Sequence, residues 1–202
     1  MSIEIDKYKF TIGINWGPIK EMGWFNAEQK IPVDLDLICF EIDRDGLLVN
    51  TLSFELEKQP WGKLSQDDMS GDLSGDDHRD NEWIEFDLEP LTYGHQLVVG
   101  VINYTEQSLC NITHFDYRVY TGEINRPKEI FYYKNIKREI PLTFDSESMI
   151  LGCLECLNGT IHYKELEISS HYKDPIGLWN EMEKSRYIQD VLGIIRNQID
   201  MF

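Results

Sequence analysis

Apolar residues fall at alternate positions, in short runs, from about residue 8 to residue 170. A repeat of two puts those side chains on one side of an extended strand and scatters them around a helix. "YKFTIGINW" (8–16), "DLDLICFEID" (34–43), "WIEFDL" (83–88), "HFDYRVYT" (114–121), "EIFYYKN" (129–135) and "IHYKELEIS" (161–169) read this way. "QLVVGVINY" (96–104) and "MILGCLECL" (149–157) are apolar almost throughout, as strands buried on both faces are. "RDG" (44–46) joins 34–43 to "LLVNTLSFEL" (47–56) as a hairpin, and "LNGT" (157–160) joins the last two runs. Short strands at this spacing predict a mainly β chain folded as a two-sheet β-sandwich.

The period changes at the end. Asp174 is placed to cap a helix and Pro175 to occupy its first position. Ile188, Val191, Leu192, Ile195, Ile199 and Phe202 then recur at helical spacing. The division expected is a sandwich over 1–172 and an amphipathic α-helical extension over 173–202. A stripe of that kind packs on its own sandwich, on a protein partner or on a second copy of the chain.

The formal net charge is −17 in 202 residues. Phosphate backbones and anionic lipid are bound by clustered Lys and Arg, so direct nucleic-acid binding and membrane docking are not expected. No window is apolar enough to insert in a membrane, and the start lacks the pattern of an export signal. A cytoplasmic protein with reduced Cys39, Cys110, Cys153 and Cys156 is the expectation.

The charge is concentrated. Residues 67–90 hold ten acidic residues and one base, Arg79, for a net −9. Each close pair of carboxylates at a protein surface is unfavourable by about 1–4 kcal/mol, and a divalent cation among them removes that penalty. Hard carboxylate oxygens on a loop that Gly71 and Gly75 allow to turn suit Ca²⁺. The loop lacks the spacing of an EF-hand, since Asp77 and Trp83 stand where that motif needs Gly and Glu. Upstream, Asp34 and Asp36 lie two apart and share one strand face. A single site could collect carboxylates from both segments. Without a cation, Arg79 would partly neutralise the loop and the protein would be a structural scaffold.

"DLDLICFEID", followed after about thirty residues by "SGDLSGDDHRDNEWIEFDLEPL", resembles the TerD family of tellurium-resistance and stress-response proteins. That family carries D-x-D-x-x-x-F-x-x-D and then a loop like G-D-N-x-T-G-E-G-D-G-D-D-E. The likeness continues through "LVVGVINYTEQSLCNITHFDYRVYTGE", with Arg118 in the family's Arg position, and "MILGCLECLNGTIHYKELEIS". It covers about residues 8–170. It implies a β-sandwich that binds Ca²⁺, has no enzymatic activity and acts through protein partners. The ligands it implies are Asp34, Asp36, Asp72, Asp76, Asp80, Asn81 and Glu82. The loop departs from the family by one residue missing after Asp72, by Asp77 and Arg79 in place of glycines, and by His78 and Asn103 in place of aspartates. One Ca²⁺ site is implied, and a second is not expected to keep its full ligand set.

The remaining motifs carry little chemistry. Cys153 and Cys156 form a C-x-x-C with no partner pair at metal spacing, and read as core thiols. The five histidines form no H-x-H or H-x-x-x-H pair. No G-x-S-x-G, P-loop or dinucleotide fingerprint occurs. A hydrolase using metal-activated water lacks a base or nucleophile beside the acidic loop. The five tryptophans read as core and rim residues.

Overall fold

The computed structural model describes residues 2–5, 9–23, 28–75, 79–105, 108–121, 136–139, 148–157 and 160–170. The strand expected at 129–135, the helix expected over 173–202 and the candidate ligand Asp76 lie outside the described residues.

The described chain is strand with short connections. In order these are β1 (Ser2–Ile5), β2 (Lys9–Trp16), β3 (Ile19–Met22), β4 (Glu28–Ile31), β5 (Leu35–Ile42), β6 (Leu48–Leu52), β7 (Lys58–Gln59), β8 (Gly62–Leu64), β9 (Glu82–Asp87), β10 (Gln96–Asn103), β11 (Phe115–Thr121), β12 (Ile136–Glu139), β13 (Ser148–Leu157) and β14 (Thr160–Ser170). A short 3₁₀ turn spans Leu109–Asn111. One six-stranded sheet runs β1-β14-β13-β10-β5-β6, the other runs β12-β11-β2-β9-β8-β7, and β3 pairs with β4 alone. Every pairing is antiparallel.

The period-2 pattern explains how the sheets meet. Phe10, Ile12, Ile14 and Trp16 of β2 and Ile84 and Phe86 of β9 face Leu35, Leu37 and Cys39 of β5 and Leu97, Val99 and Val101 of β10 in one buried cluster. The two large sheets therefore share a single core, and burial of large side chains at about 1.5–3 kcal/mol each supplies its main driving force. The alternate residues of β5, β10 and β13 (Ile38, Phe40, Ile42, Val98, Ile102, Ile150 and Cys153) form a second buried cluster on the other face of the first sheet. This is why 96–104 and 149–157 read as continuous apolar runs.

Sequence reasoning passed over β1, β3, β4, β7, β8 and β12. These are short, and β3 and β4 are polar and largely exposed, so no apolar alternation marks them. No helix among the described residues is long and apolar enough to cross a membrane.

Candidate metal centre

Asp34 immediately precedes β5 and Asp36 is its second residue, so both carboxylates leave the same side of the chain. The connection from β8 to β9 passes beside them and delivers Asp67. One carboxylate oxygen from each of Asp34, Asp36 and Asp67 lies within 4.8 Å of the others. Oxygens sharing one Ca²⁺ at about 2.4 Å are at most about 4.8 Å apart, so the three meet the spacing that a shared cation requires. Among the described residues this is the one group of three or more carboxylate, imidazole or thiol ligands that meets this test.

Glu82 closes the inner side. It is the first residue of β9, 1 % exposed. Pairing of β6 with β5 ends at Leu52 opposite Cys39, and the Leu37 N–H lies beyond that end. It donates to Glu82 Oε2 at 2.9 Å, and the Asp68 N–H donates to Oε1 at 3.2 Å. The group thus draws on both sheets: Asp34 and Asp36 at the start of β5, Asp67 from the connection between β8 and β9, and Glu82 from the first position of β9.

The electrostatics are those of crowded, buried carboxylates. Asp36 is 4 % exposed and accepts no hydrogen bond from a described residue; Asp34 Oδ1 is buried without a hydrogen-bond partner. Burial, then the neighbouring Asp34 and Asp67, push the Asp36 carboxyl up to about 7. Burial, with Asp36 and Asp67 adding to it against the two backbone donors, pushes Glu82 up to about 8. Asp34 is raised by burial and by Asp67 and Asp68. A buried carboxylate that cannot find a donor either takes up a proton or meets a cation.

That choice has a measurable consequence. Asp36 and Glu82 hold protons more tightly folded than unfolded, so the stability they contribute is present below about pH 4 and is lost as pH rises through 7 and 8. Metal-free protein is therefore expected to melt at a lower temperature at pH 8.5 than at pH 5.5. Melts in a chelating buffer check this. Glu82→Gln should reduce the slope and leave the part due to Asp36, and a slope unchanged by it refutes the assignment.

The other expected ligands have protein partners. Asp72 Oδ2 accepts from Asn15 Nδ2 at 3.1 Å and Oδ1 accepts from Asn81 Nδ2 at 3.1 Å. Asn81 Oδ1 accepts from the Trp16 N–H at 2.8 Å. Asp80, with a fully buried side chain, forms an ion pair of 2.5 Å with Arg118, whose side chain is 2 % exposed. Gly13 leaves room for it, since a methyl there would overlap the Asp80 carboxylate. Asp72 and Asp80 thus meet an amide pair and a guanidinium, and they are not among the three carboxylates that converge at Asp34, Asp36 and Asp67. Asn103 turns its Oδ1 to the Thr105 N–H at 2.9 Å. Asp67 is absent from the expected set because it precedes the stretch that carries the family likeness. Its only signal was its place at the start of the acidic run.

No protein-family model matches the chain, and no curated protein matches it.

Proposed function

We propose that the chain is a non-enzymatic Ca²⁺-binding module, a β-sandwich of the TerD type that acts through other proteins. The observation that carries this reading is the meeting of Asp34, Asp36 and Asp67 within 4.8 Å, with Asp36 buried and lacking a hydrogen-bond donor among the described residues. Asp34, Asp36 and Asp67 would hold the ion, with Glu82 behind them. All are hard oxygen donors on strand ends and a loop, which suits Ca²⁺. One ion is proposed rather than two, because Asp72, Asp80 and Asn81 are engaged by Asn15, Trp16 and Arg118.

The wider biology rests on the family likeness alone. A stress-response role, a cytoplasmic location and contact with protein partners or a second copy through the apolar stripe of 188–202 belong to this proposal. The thiols form no cluster in the sequence that suggests tellurite chemistry: Cys39 and Cys153 are buried, where burial raises both above the usual thiol range, and Cys110 is exposed on a separate turn.

A ligand that binds only the folded state at 100 times its Kd adds about 2.7 kcal/mol. For a chain of this length that is about 5–10 °C in Tm. Ca²⁺ at that excess is therefore expected to raise Tm by this amount, with one equivalent bound by calorimetry. No heat and an unmoved Tm at millimolar Ca²⁺ would leave the alternative, a sandwich that keeps the acidic loop without its metal.

A further inference from the structure

The 65–82 connection leaves and returns beside one buried side chain. Asn15, 1 % exposed on β2, donates from Nδ2 to Asp72 Oδ2 at 3.1 Å, to the Arg79 carbonyl at 2.6 Å and to Asn81 Oδ1 at 3.3 Å. Its Oδ1 lies 3.0 Å from His114 Nε2. These contacts fix the amide's orientation, because the reverse would set its oxygen against three oxygens. His114 must then carry its proton on Nε2 to donate to Oδ1.

The outgoing arm is short and held at both ends. Ser65 exchanges hydrogen bonds with the Trp83 backbone, donating from its N–H at 2.8 Å and accepting at Oγ at 3.0 Å. Asp72 is tied to the Trp16 carbonyl through its N–H at 2.9 Å and to Asn15 through its carboxylate. Gly71, at φ +61°, lies so close to Trp16 that a side chain there would strike the indole. Asp67 sits within this arm. The returning arm is held at Arg79 and Asn81 and runs directly into Glu82.

We propose that Asn15 is a positioning residue of the cation site: it ties the two arms together and so sets Asp67 and Glu82 against Asp36. The inference rests on the cation reading above. Asn15 touches none of the ligands. It acts through Asp72 and Asn81, as outer partners of metal sites act through the groups they orient.

Asn15→Ala separates this role from plain stability. Outer-partner substitutions weaken metal binding by about 10–100-fold, so Ca²⁺ titrated into the folded variant at low temperature is expected to give a Kd at least about tenfold weaker than the parent. Trypsin in chelator gives a second, metal-free readout. Arg79 is the only Lys or Arg between residues 67 and 90, and cleavage after it is expected to be faster in the variant. Parental Kd in the variant overturns the inference, even with a lowered Tm. Unchanged cleavage after Arg79 overturns it equally. If the parent itself binds no Ca²⁺, the cation reading falls, and with it any role for Asn15 beyond the latch that the cleavage rate reports. Should Asn15→Ala not fold, His114→Ala, which removes the donor to Asn15 Oδ1, carries the same comparison with a smaller loss of affinity.

Discussion

Arg118→Met is expected to lower stability by about 3–5 kcal/mol, because it removes the guanidinium from a buried ion pair with Asp80. For a chain of this length that is about 6–20 °C in Tm. Asp80→Asn is expected to be less harmful, since it removes the charge and keeps the shape. The double change Asp80→Leu with Arg118→Met should recover much of the loss, as apolar replacements of a buried pair often do. A double-mutant cycle in chemical denaturant measures the coupling. A coupling near zero would mean that Arg118 does not neutralise Asp80. The result also bears on metal count: a strong pair there removes Asp80 from the pool of free ligands.

Asp36→Asn is expected to act in the opposite direction on the metal-free protein. The amide has the carboxylate's shape but carries no charge toward Asp34, Asp67 and Glu82. Above pH 7, where the Asp36 carboxyl must ionise, the metal-free variant is expected to melt above the metal-free parent. With Ca²⁺ the order reverses. Removing a charged ligand is expected to weaken Ca²⁺ by at least the 100-fold that marks the upper range for outer partners. The Ca²⁺-induced rise in Tm should then vanish at concentrations that saturate the parent. A purely structural Asp36 predicts the same Ca²⁺ response in both proteins.

Much of the frame was legible because it rests on local periodicity. The 34–56 hairpin and the runs at 83–88, 96–104, 114–121, 149–157 and 161–169 correspond to β5, β6, β9, β10, β11, β13 and β14. Asp34 and Asp36 were legible for the same reason, since two carboxylates two apart on a strand must meet on one face. Glu82 was reached only through the family likeness; nothing local marks it out from the other acidic residues of the run.

Long-range pairing was not legible. Arg118 is separated from Asp80 by a crossing of two strands, and on β11 it alternates with Tyr117 and Val119 as a solvent-facing residue would. Nothing local shows that the returning arm of the loop brings Asp80 over it. Asn15 is silent for the same reason: a polar residue on a strand gives no sign that it holds a loop more than fifty residues away. Asp72 and Asp67 look alike in sequence. Only the fold gives Asp72 two amides and leaves Asp67 beside Asp34 and Asp36.

The most direct test of the account is a crystal structure determined with Ca²⁺ in excess over the protein. One ion is predicted, bridging Asp34, Asp36 and Asp67, with Asp80 still on Arg118. An empty triad, or an ion held by Asp72, Asp80 and Asn81 instead, would contradict it.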